Sequence, residues 1–89
     1  MTIYNLEPRF DSHKSFYGKA KVGIDDNGNK TLYSYGTPVV KIRNGMVTLG
    51  DYALCSATTT RHTKDFLKQN GFAVGSKSEL SKMYPWERF

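Results

Sequence analysis

The segment Cys55–Phe72, CSATTTRHTKDFLKQNGF, gathers the side chains of this sequence best suited to chemistry. It holds a thiol at Cys55, hydroxyls at Ser56, Thr58, Thr59 and Thr60, a guanidinium at Arg61 and an imidazole at His62. Hydroxyls and a guanidinium at a helix start suit phosphate, because first-turn amides point their N–H groups at an anion. The same threonines suit plain capping, with Thr58, Thr59 or Thr60 as N-cap accepting from a free first-turn amide. Further along, Thr59, His62, Thr63, Phe66 and Leu67 recur at helical spacing as a stripe that packs on a core. Arg61, Lys64, Asp65 and Lys68 form a second, polar stripe.

As catalytic groups these residues make a poor set. Cys55 and His62 carry no nucleophile-elbow pattern around them, and a lone cysteine usually fills space in a core. Asp11, Ser12 and His13 are triad residue types, but so local a run does not arrange triad geometry. No Gly-rich loop has Walker or Rossmann spacing. Two distant histidines and one cysteine give no first-row metal site, and one cysteine gives no intrachain disulfide. The expectation is a non-enzyme with no cofactor and no metal.

A helix over 57–70 must rest on something, and the preceding residues read as a sheet. Within KSFYGKAKVGI, the residues Phe16, Gly18, Ala20, Val22 and Ile24 share one parity and Tyr17, Lys19 and Lys21 the other, which predicts a half-buried strand. DDNGN is a turn cluster that returns the chain into KTLYSY. Gly36 and Pro38 then mark a corner, a bulge or an edge strand. VVKIR and MVTL flank Asn44-Gly45, a two-residue hairpin signal in which both residues tolerate positive φ. YALCS reads as a short strand or an extended lead-in to the helix.

Asn70-Gly71 predicts the helix stop, with Phe72 folding back on Phe66 or Leu67. Ser76 and Glu79 form a capping box that opens a short second helix ending at Pro85, and WERF reads as an aromatic tail docked on the core. Before the sheet, Pro8 and the Asp11-Ser12 turn predict an irregular lead-in. The expected class is α+β, an antiparallel meander of three to five strands against one main helix, plus a short C-terminal helix. It is one domain: lead-in 1–13, meander 14–55, main helix 57–70, short helix and tail 76–89.

Parity assigns Tyr17, Lys19, Lys21, Tyr33, Tyr35, Lys41 and Arg43 to the outer face of that sheet. Cations interleaved with rings suit single-stranded nucleic acid, whose phosphates pair with the cations while its bases stack on the rings. They are also ordinary occupants of a solvated strand face. The totals agree with an anionic partner. Thirteen Lys and Arg against eight Asp and Glu give a net charge of +5, which favours nucleic acid, an acidic protein surface or anionic lipid. A charge of that size also simply keeps a small domain soluble. No run of about 18 apolar residues spans a membrane, and MTIYNLEPRF lacks the basic region and apolar run of a signal peptide. The cytoplasm is the expected compartment.

Four stretches, KSFYGKAKV, LYSYGTPVVKI, NGMVTLGDYA and SATTTRHTKDFLKQNGF, together resemble a small uncharacterised domain family encoded by phages and mobile elements, largely of low-GC Gram-positive bacteria. The family pattern runs LYSYxTxVaxI, a Gly-containing hairpin, then YSxTTxRHxxxFLxQ. Tyr33, Tyr35, Thr58, Thr59, Arg61, His62, Phe66, Leu67 and Gln69 fall on its positions, and the resemblance extends from about Lys14 to Phe72. The chain departs from it where Ala53-Leu54-Cys55 separates Tyr52 from Ser56. The resemblance implies no chemistry. It implies a genomic setting in which small basic proteins bind host or phage machinery such as DNA, a polymerase or a CRISPR effector.

The resulting expectation is a non-enzymatic accessory protein that binds nucleic acid or a nucleoprotein complex of a bacterial host. Lys19, Lys21, Lys41, Arg43 and Arg61 would contact phosphate, Tyr33 and Tyr35 would stack bases, and Lys64 and Lys68 would also bind the nucleic acid or partner. An inhibitor that contacts a host defence or transcription protein directly is the alternative. A small structural homodimer pairing edge strands is a further one.

Overall fold

A computed structural model of the chain describes residues 2–10 and 18–89. Five antiparallel strands follow one another across a single sheet in chain order: β1 (Thr2–Asn5), β2 (Ala20–Ile24), β3 (Lys30–Ser34), β4 (Thr37–Arg43) and β5 (Met46–Leu49). Helices α1 (Ala57–Gln69) and α2 (Lys77–Met83) come after them. The class is α+β, an antiparallel meander with one main and one short helix.

The strand pairing explains the core. Val22 lies opposite Leu32, Leu32 opposite Val40, and Val40 opposite Leu49, so one buried row crosses four strands. α1 covers that face with Phe66 and Leu67, and Leu80 reaches the same cluster from α2. Each such side chain contributes about 1.5–3 kcal/mol through removal from water. Neither helix among the described residues covers the opposite face of the sheet.

Two turns of the same kind join the central strands. Asn44 (φ 52°) and Gly45 (φ 75°) link β4 to β5, with Arg43 opposite Met46. Positive φ at both central residues is the type I′ requirement. Tyr35 (φ 53°) and Gly36 (φ 82°) repeat the geometry between β3 and β4, with Ser34 opposite Thr37. Tyr35 is therefore a turn residue and not the end of a strand. A left-handed tyrosine costs roughly 1–2 kcal/mol, offset here by its N–H to the Lys19 carbonyl (2.8 Å) and by its ring against His62 (5.9 Å between centroids). Pro38 is tolerated inside the sheet because the register shifts beside it, between Leu32 and Tyr33.

Several elements differ from the sequence expectation. The lead-in is not wholly irregular, since Thr2–Asn5 forms β1 against β2. The second strand begins at Ala20, because Gly18 (φ 66°) and Lys19 form a turn. The readings at Asp11–His13 and Lys14–Tyr17 lie outside the described residues. YALCS is neither strand nor extended lead-in, since residues 51–54 turn, with the Ala53 N–H on the Gly50 carbonyl (3.1 Å). Asp25 closes the β2–β3 turn by accepting from the N–H groups of Asn27 (2.9 Å) and Asn29 (3.0 Å). Those amides, Asn29 foremost, hold its carboxyl below the usual carboxylate range.

The C-terminal tail docks on a sheet edge and not on the core. Trp86 bridges Leu49 in parallel, with the Leu49 N–H on the Pro85 carbonyl and the Glu87 N–H on the Leu49 carbonyl, both at 2.9 Å. Phe89 then lies over Gly50, where a Cβ would sit 2.7 Å from its ring. A residue with a Cβ there would have to displace the ring.

Candidate functional site

The open face of the sheet carries part of the basic and aromatic set. Lys21 stands directly opposite Tyr33, and Lys41 opposite Thr31, one diagonal step from Tyr33. Such diagonal neighbours lie within reach of long side chains. Arg43 follows Lys41 on the same face of β4, beside the Asn44-Gly45 turn. None of the five strands contains an Asp or Glu, whereas they contain Lys21, Lys30, Lys41 and Arg43. Lys41 also lies over the Phe89 ring, 4.4 Å from its centroid, so the tail borders this face.

The remaining residues of the set lie elsewhere. Lys19 and Tyr35 leave the outer face for the turn at the end of the sheet, where the Lys19 ammonium sits 6.0 Å from the Tyr35 ring centroid. Arg61, Lys64 and Lys68 occupy the outward side of α1, on the opposite layer from Lys21 and Lys41. Lys68 sits over the Phe10 ring at 5.2 Å. Arg61, Lys64 and Lys68 on the helix and Lys21 and Lys41 on the strands thus belong to different layers of the domain. Tyr17 falls among the residues not described.

The threonine-rich helix start is mostly internal wiring. Its N-cap is Ser56 and not Thr58, Thr59 or Thr60: the Thr59 N–H donates to the Ser56 hydroxyl (3.1 Å). The Thr60 hydroxyl returns to the Ser56 carbonyl (2.7 Å), and the Thr63 hydroxyl to the Ala53 carbonyl (2.8 Å). Ser34, buried on β3, meets the Thr59 hydroxyl at 3.1 Å and His62 Nδ1 at 2.8 Å. A buried hydroxyl chain thereby ties the start of α1 to the sheet, as buried polar groups require. Thr58 is half-buried beside it.

Asp65 departs furthest from the sequence reading. It is buried, not part of a solvated stripe, and its carboxylate accepts from the N–H groups of Arg9 (3.2 Å to each oxygen) and Phe10 (3.0 Å). Gln69 donates to the same carboxylate and to the Glu7 carbonyl (2.7 Å). The C-terminus of α1 closes as expected, with Phe72 N–H on the Leu67 carbonyl (2.9 Å) and Gly71 N–H on the Lys68 carbonyl (3.0 Å).

Sequence reasoning missed a second surface, around residues 51–56. Cys55 is exposed there, not buried, while His62 is fully buried, so the thiol and imidazole share no accessible site. A cleft of about 240 Å³ is lined by Ser34, Tyr35, Tyr52, Cys55, Ser56 and Thr59, among others. Across Cys55 lies a cleft of about 530 Å³, lined by Leu54, Lys77 and Trp86 among others. Tyr35 (57%), Tyr52 (60%) and Trp86 (43%) stand exposed around these clefts. The run YALC gave no periodic signal, and exposed rings in a turn are invisible to pattern matching.

Among the described residues, no three His, Cys, Asp or Glu side chains converge as a metal ion would need. No helix among them is long and apolar enough to cross a membrane. Fold and surfaces together define a small two-layer α+β domain, its sheet covered by α1 on one side and, among the described residues, by no helix on the other. Residues 4–82 match the model of a family of unknown function, DUF8033, and the chain belongs to that family. No curated protein and no solved structure matches it.

Proposed function

We propose that this is a non-enzymatic accessory protein of a phage or mobile element, acting in the cytoplasm of a bacterial host, that binds nucleic acid or a nucleoprotein complex. The genomic setting rests on the motif resemblance. The binding reading rests on one observation: Lys21, Tyr33 and Lys41 lie in order across three adjacent strands of the open face, and no strand carries an acid. A ring flanked by two cations offers a base a stacking surface and its phosphates a counter-charge.

The test is titration with a single-stranded oligonucleotide at two salt concentrations. Tyr33→Ala should weaken binding by about 1–3 kcal/mol, a stacked base's contribution. Lys21→Ala should weaken it across sequences and flatten the salt dependence by about one unit. Arg61→Ala, on the other layer, should leave both quantities unchanged, reversing the role expected from sequence alone. Wild-type protein without salt-dependent binding would end this reading.

A second reading is an inhibitor that contacts a host defence or transcription protein. It is favoured by the exposed Tyr35, Tyr52 and Trp86 around the two clefts, since Tyr and Trp are enriched where protein contacts concentrate energy. Tyr52→Ala would then lose partner capture while Tyr33→Ala would not.

A further inference from the structure

The two edges of the sheet are treated differently. At β5 the tail supplies backbone partners to Leu49 from both Pro85 and Glu87. At β1 nothing among the described residues does the same. The Leu6 N–H donates to the Ala20 carbonyl (2.8 Å), which sets the phase of the β1–β2 ladder. Alternate residues share that direction, so Tyr4 and Thr2 exchange their hydrogen bonds with Val22 and Ile24. Ile3 and Asn5 consequently direct their N–H and C=O groups away from the sheet.

All four residues of β1 are exposed, including Ile3 (60%) and Tyr4 (42%). Open edges are usually blunted by lysine, proline, a bulge or an inward charge, and Thr2–Asn5 contains no charged residue, no proline and no register shift. Its shortness is its one such device.

The geometry points to β1 as a homodimer interface, pairing antiparallel with β1 of a second copy across a two-fold axis at Tyr4. The register follows from the phase. Outward-directed residues must pair with outward-directed residues, and within the strand Ile3 opposite Asn5 of the second copy uses every outward group on both chains. Both pairs then exchange both N–H···O=C bonds. Tyr4 faces its own equivalent as a non-hydrogen-bonded pair, the closer kind, on the helix side of a sheet made continuous through both copies. The uncharged strand brings no like charges together, despite a net charge of +5 on each chain. So short a contact lies below the standard interface size, so the dimer is weak and concentration-dependent.

The experiment is sedimentation equilibrium of the full chain over a concentration series reaching about 1 mM, where even a weak pair assembles. Wild type should approach twice the monomer mass. Asn5→Pro should stay at monomer mass, because it removes an outward N–H and leaves the inward bonds of Tyr4 and Leu6 in place. The register is read separately in a Cys55→Ser background. Under mild oxidation Tyr4→Cys should give a disulfide-linked dimer, since non-hydrogen-bonded partners lie about 4.5 Å apart at Cα. Ile3→Cys should not, because its equivalent sits diagonally, beyond the roughly 7 Å a disulfide spans. Monomeric wild type at every concentration, an Asn5→Pro dimer, or equal cross-linking by both cysteine variants would each overturn the proposal.

Discussion

Replacing Asp65 by alanine tests whether one helix residue holds the N-terminal strand. Its carboxylate receives the backbone N–H groups of Arg9 and Phe10 and the amide of Gln69, with the residue only 1% exposed. Hydrogen bonds to a charged group contribute about 1.5–3 kcal/mol each in mutational series. Arg9 and Phe10 are themselves exposed, so water can partly replace the lost acceptor, and the lower end applies to each. Two orphaned backbone donors then sum to a loss of about 3 kcal/mol. For a domain of this size each kcal/mol shifts Tm by about 4–8 °C, so Asp65→Ala should melt roughly 12–24 °C lower. Asp65→Asn keeps one acceptor oxygen and should lose about half as much. Thermal melts by circular dichroism give the first number, and hydrogen exchange locates the damage. The Tyr4 and Leu6 amides, directed at β2, should lose protection in Asp65→Ala before those of β3 and β4. A melt within about 3 °C of wild type, or unchanged exchange at Tyr4 and Leu6, would refute this reasoning.

The type I′ turn makes Gly45→Val costly, because a β-branched residue resists a φ of 75°; a loss of about 1–3 kcal/mol is expected by denaturant melt, and an unchanged midpoint would deny the turn geometry. The Glu79 carboxyl is held below the usual range, chiefly by the Ser76 backbone N–H and then by its hydroxyl. A lowered folded-state pKa means stability present above the unfolded value and lost as pH falls through the folded one. α2 should therefore fray in acid below the ordinary carboxylate range, and an NMR titration of Glu79 with its midpoint inside that range would count against the capping box.

Features encoded by neighbouring residues were legible from sequence. Asn44-Gly45, the Gly71 stop and the Ser76–Glu79 box each need a particular residue at a particular offset, and those residues are present. β1 was not legible, because all four of its residues are exposed and no alternation marks a face. Pro8, which argues against a regular element nearby, lies three residues beyond the strand's end at Asn5. The Tyr35-Gly36 turn hid behind a residue that disfavours positive φ. At the helix start, three consecutive threonines are each suited to cap, but the helix begins earlier, with Ser56 as the cap, and Thr59 turns inward to meet Ser34 across the fold. Asp65 sits at a helix position that periodicity assigns to solvent. The segment covering it lies 56 residues away in sequence, beyond any local pattern. Parity placed Lys21, Tyr33 and Lys41 on one face correctly. It failed for Lys19 and Tyr35, because both lie beyond the strand ends where parity no longer applies.

The distance in sequence between Asp65 and its N-terminal partners has a kinetic consequence. Hairpins β2–β3, β3–β4 and β4–β5 close over short loops, and such hairpins form in about 1–10 µs. The bond from Arg9 to Asp65 spans 56 residues, and at synthesis rates of about 5–20 residues per second Asp65 emerges roughly 3–11 s after Arg9. Once β2 has emerged, β1 has a strand partner but, until Asp65 follows, no tether. In refolding of the full chain, contacts across 56 residues form more slowly than those local hairpins, so β1 is expected to be the last strand to gain protection, and pulse-labelled exchange reads that order directly. Early protection at Tyr4 and Leu6 would show that strand pairing alone suffices, and that the helix merely locks what has already formed.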